Sequence, residues 1–341
     1  MPVEVYSTDT DSGVISVVTP VNGSFESVAQ IPIGNAPRGA VKFTKDGRGF
    51  VSNCGGDTVS EIDVLTHRET ARIKVGPAPR GLGVVPGDRY ALVSNSGANT
   101  ISIVDLGSRQ EVRQVATGRD PRHMAISADG RHAYVAVWGS HYVAKLDLTG
   151  LAEGRPEEVR EVARIPVGHD RHPYSVALHP ARKELYVAST RSKLLSIIDT
   201  TKGAVEAEID LESVGARAVA FSKDGGTAFV TIENTSEVVF VDTVRRKVVN
   251  RIPVGPGPRG LALEPLSNTL YVSAFARTGA SGGLASVRPE NTLTVVNLAP
   301  VGRSLATAGA EKKVRYDFAP VAQGSCSVAV LDTDGLSVEV R

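Results

Sequence analysis

Five arginines stand in matched contexts along this chain: Arg38, Arg80, Arg122, Arg217 and Arg259. Three follow an x-Pro step and precede glycine, in Ala36-Pro37-Arg38-Gly39, Ala78-Pro79-Arg80-Gly81 and Gly257-Pro258-Arg259-Gly260. A fourth varies the theme as Asp120-Pro121-Arg122-His123. A guanidinium stays charged in proteins and grips carboxylate, phosphate or enolate oxygens in bidentate fashion. Five of them around one opening repel each other unless partnered, so they suit an anionic ligand. The competing reading is that each arginine bonds carbonyls or carboxylates of neighbouring loops. Between Arg122 and Arg217 the chain also concentrates His123, Trp138, His141, Tyr142, His169, His172 and Tyr174. Aromatic area with a few polar groups is the composition of a pocket wall. Imidazole has the side-chain pKa best suited to proton transfer, which makes His123 and His172 the candidate catalytic groups, with Tyr174 and Glu233 next. The competing reading packs Trp138 and Tyr142 into the core and leaves the histidines solvated. The histidine spacing matches no local metal-ligand motif, so no metal is expected. Cys54 and Cys326 have no evident His partner in sequence and give no zinc or disulfide framework. The chain has no glycine-rich phosphate loop after a strand, no serine nucleophile elbow and no haem-attachment motif, and no cofactor is expected.

What must position these residues is a repeat. The anchors Arg38, Arg80, Arg122, Tyr174, Arg217, Arg259 and Ser325 step by 42, 42, 52, 43, 42 and 66 residues. A basic step near 42 is the period of a β-propeller blade. Each unit reads alike: a short alternating strand, a turn such as Asp46-Gly47 or Asp129-Gly130, a second strand ending in a polar loop, a third ending in Asp, and a fourth closing on Val-Gly. Valine and isoleucine at period two, broken by Gly, Asn and Asp, predict antiparallel strands joined by tight turns. Six full units span about 35–76, 77–118, 119–168, 169–212, 213–255 and 256–322. Residues 1–34 lack a first strand, and 323–341 begin with one, so a blade shared between the termini closes the ring as blade 1 and removes the open edges. The expectation is a single all-β domain, a seven-bladed propeller of four-stranded antiparallel blades. Val3–Tyr6 and Leu336–Arg341 compete for the second strand of the shared blade.

Tyr134-Val135-Ala136, Tyr186-Val187-Ala188 and Tyr271-Val272-Ser273 resemble the motif of the YVTN β-propeller repeat, and the resemblance covers almost the whole chain. It implies a fold and little about activity. In propellers of this type the first strand of each unit lines the central channel. The loop entering it and the loop between strands two and three share one face, here called the top. The resemblance therefore implies a ring of Arg38, Arg80, Arg122, Arg217 and Arg259 at the channel mouth, completed by Tyr174 and Ser325. Trp138, His141, Tyr142 and Phe275 fall in top-face loops, and with the arginines they form the expected substrate-binding set. The small-residue stretch from Ala276 to Asn291 reads as a lid or a surface insertion. Insertions at Leu148 to Arg160 and Val301 to Lys313 fall on the opposite face, as does His179, read as structural.

The formal net charge of +1 gives no single-sign field to attract nucleic acid or an anionic membrane. No apolar run is long enough for a transmembrane helix, and no secretory signal is read at the start, which predicts a cytoplasmic protein. The reading favoured is a cofactor-independent lyase, isomerase or cyclase of specialised metabolism, acting on an anionic organic small molecule. The alternatives are a non-catalytic protein-interaction scaffold and, by likeness of architecture, a lactonase-like hydrolase.

Overall fold

The computed structural model describes residues 3–21, 24–264, 268–275, 291–298, 312–317 and 325–331. They form seven four-stranded antiparallel sheets. Each innermost strand packs beside the innermost strands of the two neighbouring sheets, which closes a ring: a seven-bladed propeller. In chain order the innermost strands of blades 2 to 7 are Pro37–Phe43, Pro79–Val84, Pro121–Ile126, Pro173–Leu178, Ala216–Phe221 and Pro258–Glu264. Blade 1 joins the two ends of the chain. Its innermost strand is Ser325–Leu331, and its second strand is Glu4–Asp9, so the N-terminal segment takes the contested slot. Residues 336–341 lie outside the described residues. Among the described residues no helix is long and apolar enough to cross a membrane.

Burial explains the strand sequences. Second strands are covered on both faces by adjacent blades, so Glu184–Ser189 and Thr227–Ile232 are buried throughout and read as near-continuous apolar runs. Fourth strands are edges. In Arg68–Lys74 every second residue is exposed, and three of those exposed residues are the cations Arg68, Arg72 and Lys74, which block edge-to-edge pairing. The core lies between blades: Leu92, Ile101 and Ile103 of blade 3 pack with Val135, Val137, Tyr142 and Ala144 of blade 4. The insertion after blade 4's third strand folds as a helix, Thr149–Ala152, and a 3-10 turn, Pro156–Glu158. Its Leu148 N–H bonds the Arg131 carbonyl at the Asp129-Gly130 turn, on the face opposite the mouth.

The mouth loops share one construction. The residue before each innermost strand takes a left-handed conformation: Ala36, Ala78, Asp120, His172, Gly215 and Gly257 all have φ between +50° and +99°. The loop between strands two and three then docks on that residue's carbonyl. Cys54, Ser96, Trp138, Thr190 and Glu233 each donate a backbone N–H to it, at 2.9 to 3.1 Å. Both loops of blades 2 to 6 therefore lie on one face.

Candidate functional site

This construction sets two concentric rings on the top face. The inner ring is Arg38, Arg80, Arg122, Tyr174, Arg217 and Arg259, each the second residue of its innermost strand. The outer ring is Cys54, Ser96, Trp138, Thr190 and Glu233, one per blade from 2 to 6. Second-strand hydroxyls seat the inner ring. Ser52 Oγ donates to the Arg80 carbonyl at 2.5 Å, and Ser94 Oγ donates to the Arg122 carbonyl at 2.6 Å while accepting the Gly81 N–H. The glycines after Arg38 and Arg80 answer the close approach of the next blade: a Cβ on Gly39 would stand 2.6 Å from the Arg80 carbonyl oxygen, and one on Gly81 would overlap that of Arg122. In blade 4 the glycine position is His123, whose ring turns into the channel.

The channel below the ring holds a cavity of about 160 Å³. Lys42, His123, Tyr174, Arg217 and Arg259 line it. Lys42, which sequence reasoning missed, stands four residues down the strand from Arg38 in a stretch that reads as an ordinary alternating strand. Its ammonium is wetted by the channel yet enclosed by protein, and burial pushes its pKa down. Burial, then the charges of Arg122 and Arg38, push the Arg80 guanidinium below its ordinary value. Burial, then Arg122, Lys42, Arg80 and Arg217, push the His123 imidazole down to about 3, so this ring is neutral at physiological pH. It packs against Tyr174 with centroids 5.1 Å apart.

Against these cations stand two carboxylates. Asp120 pairs with Arg122. Glu233 takes Arg217 Nε at 2.6 Å and Arg259 Nε at 2.9 Å. Burial works to raise the Glu233 carboxyl, but the two guanidiniums outweigh it and hold it below the usual range. Glu233 is therefore an ionised clamp between two arginines rather than a proton donor. Arg38 and Arg80 differ in that neither forms an ion pair with a described carboxylate; their buried Nε atoms, like that of Arg122, have no hydrogen-bond partner among the described residues. The expectation that the arginines bond neighbouring loops thus describes three of the five.

The remaining residues of the expected site divide. Trp138, His141 and His172 line a second pocket of about 440 Å³, beside the mouth rather than in the channel, with Asp120, Arg119 and Asn99. Arg122 connects the two, its guanidinium 5.2 Å from the Trp138 ring and 5.6 Å from the Tyr174 ring. His172 is buried under Trp138, centroids 4.1 Å apart, and lines the outer pocket. The structure places this candidate catalytic residue beside the mouth rather than in the channel, in the slot before the innermost strand that Ala36, Ala78 and Asp120 fill in blades 2 to 4. Tyr142 belongs to the core between blades 3 and 4 and lines neither cavity, because its place in the third strand buries it. Phe275 ends a strand of blade 7, Thr269–Phe275, and its side chain lies outside the described residues, as do those of Ser325 and Cys326. Residues 276–290 and 301–311 lie outside them as well. His179 is structural: Nδ1 accepts the Ala181 and Arg182 N–H groups and Nε2 donates to the Gly225 carbonyl of the next blade.

No family model matches the chain, and no curated protein matches it. The resemblance to YVTN repeats rests on the quoted motifs alone. Among solved structures, a chain titled Kuenenia stuttgartiensis hydrazine synthase superposes with a TM-score of 0.63 at 25% identity, covering 76% of each chain. A functionally unknown protein from Desulfotomaculum acetoxidans DSM 771 superposes with a TM-score of 0.74 at 15% identity, covering 96% of this chain and 98% of that one. These likenesses carry the propeller architecture.

Proposed function

We propose that the channel mouth binds a small organic anion, and that the protein is a lyase, isomerase or cyclase acting on it. The observation that carries this reading is the pair Arg38 and Arg80, charged, partly buried and without an acid partner among the described residues. Leaving such groups unpaired is costly, and a ligand carboxylate or phosphate would satisfy them. The cavity volume favours a compact substrate over a large scaffold. Preorganised guanidiniums stabilise charge that develops on a carboxylate or enolate. Neutral His123 and Tyr174 stand in the same cavity as proton acceptor and donor. An anion bound beside His123 would offset the surrounding cations and raise its basicity toward a useful range.

The test is titration calorimetry with malonate and inorganic phosphate as probes, on wild type and an Arg38→Ala/Arg80→Ala variant. Saturable binding in wild type, weakened at least about tenfold in the variant, supports the site. Equal affinity in the two proteins, or no saturable binding in wild type, removes it. Mass spectrometry of a small-molecule extract incubated with wild type and with His123→Ala then tests turnover. A species converted by wild type and spared by the variant identifies the reaction, and none converted removes the enzyme reading.

A further inference from the structure

The second pocket gathers residues that the channel site does not use. His141, Asp170 and His172 each bring a ligand-type atom into one group, all within 4.8 Å of one another. They come from two loops. His141 closes the short 3-10 turn Trp138–Ser140 in blade 4, and Asp170 and His172 belong to the loop entering blade 5. All three hold a left-handed backbone, φ +54° to +58°.

Donor and acceptor accounting shows what this group lacks. His172 Nδ1 lies 3.1 Å from the Trp138 carbonyl oxygen, and Nε2 lies 2.9 Å from Asp170 Oδ1. Both partners are acceptors, whereas a neutral imidazole carries one N–H. With Nδ1–H given to the carbonyl, Nε2 turns its lone pair toward a carboxylate. His141 stands edge-on to His172, centroids 4.4 Å apart, and its buried Nδ1 has no hydrogen-bond partner among the described residues. Two imidazole lone pairs and a carboxylate around one point suit a metal cation, Asp170 being met otherwise by the exposed Arg191 guanidinium at 3.8 Å. Asp120, which lines the same pocket, has a buried Oδ1 with no partner among the described residues.

We propose that His141, Asp170 and His172 form a site for a divalent transition-metal ion of the zinc or nickel type. Two nitrogens and one oxygen are the donor set that these ions take, with bonds of about 2.0–2.2 Å, and the three atoms already lie within 4.8 Å of one another. The Trp138 carbonyl fixes the His172 tautomer, as a second layer does at metal-bound histidines. Three protein ligands leave coordination open toward the pocket. The site is separate from the channel, and the failure of either reading leaves the other standing.

Trp138, the chain's single tryptophan, packs at a tilt against His172 and reports the site. Full-length protein stripped with a chelator is titrated with Zn²⁺ and with Ni²⁺, reading tryptophan fluorescence and calorimetric stoichiometry. The expected result is one ion per chain with saturable quenching by Ni²⁺. His141→Gln and Asp170→Asn, which leave the buried His172 in place, each weaken affinity at least tenfold with an unchanged circular dichroism spectrum. His169→Ala, at the exposed neighbour whose ring is 6.0 Å from that of His141, keeps wild-type affinity. No saturable response in wild type overturns the proposal. Equal affinity in wild type, His141→Gln and Asp170→Asn overturns it as well, since the ion then binds elsewhere.

Discussion

Glu233 balances charge at the channel mouth. Its two oxygens divide between Arg217 of its own blade and Arg259 of the next, so one carboxylate neutralises two inner-ring positions and ties two blades together. Glu233→Gln keeps the shape and removes the charge, leaving two guanidiniums facing each other across the cavity. Breaking a fully buried pair costs about 3–5 kcal/mol, and this pair, with side chains 13% to 19% exposed, is expected to cost about 1–3 kcal/mol. At low salt the melting temperature should fall by several degrees, and added malonate or phosphate should restore it by supplying the missing negative charge. An unchanged melting temperature in low-salt buffer would sink the clamp as described.

Blade 1 shows the same logic at the scale of an element. In blades 2 and 3 the last residue of the second strand is an asparagine that donates to a serine on the third strand: Asn53 to Ser60 and Asn95 to Ser102, each at 2.7 Å. The serine in turn donates its own O–H to a carboxylate on the fourth strand, Glu69 or Glu111. Blade 1 puts Asp9 in the asparagine place, and Val18 pairs with Ser27 where its counterparts pair with Glu69 and Glu111. Ser16 therefore donates to Asp9 at 2.7 Å. Burial, partly countered by that bond, raises the Asp9 carboxyl to about 7. A carboxyl raised in the folded state favours folding below its unfolded value near 3.9, and that contribution is lost as pH rises through 7. Asp9→Asn rebuilds the bond of blades 2 and 3 without the charge. Denaturant unfolding should show it more stable than wild type by about 1–4 kcal/mol at pH 8 and level with it at pH 4. A gap that is the same at both pH values would contradict the buried carboxyl. Elements of this kind explain what the sequence made legible. The 42-residue step, the Asp-Gly turns and the valine alternation announce the strands because every blade needs them. Individual side-chain directions depend on loop detail. His172 lies outside the channel because it fills the left-handed slot before its innermost strand, as Asp120 does in blade 4, and Lys42 enters the channel from a strand whose pattern gives no sign of this. His141 and His172 meet across two blades, a contact that local ligand spacing cannot encode.

At the scale of the whole molecule, both proposed sites depend on ring closure. The channel cavity is lined by innermost strands of blades 2 to 7, and each is held in place by a neighbour on either side. Between Pro258–Glu264 and Pro37–Phe43 that neighbour is Ser325–Leu331, joined to the N-terminal strand by a register running from Glu4↔Leu331 to Asp9↔Ser325. Contacts between residues this far apart in sequence must form before the inner ring is complete, so loss of this strand acts on the channel before it acts on the distant blades. Blades 4 and 5, which carry the outer pocket, lie on the other side of the ring. A chain ending at residue 324 should expose the edge of Glu4–Asp9, lose the cooperativity of its thermal transition and bind malonate at least tenfold more weakly. Its response to Zn²⁺, read by Trp138, should persist wherever blades 4 and 5 remain folded. Calorimetric unfolding together with the two titrations checks this. Wild-type malonate affinity in the truncated chain would show that the channel does not need the ring to close, and would place the anion's contacts on a few adjacent blades.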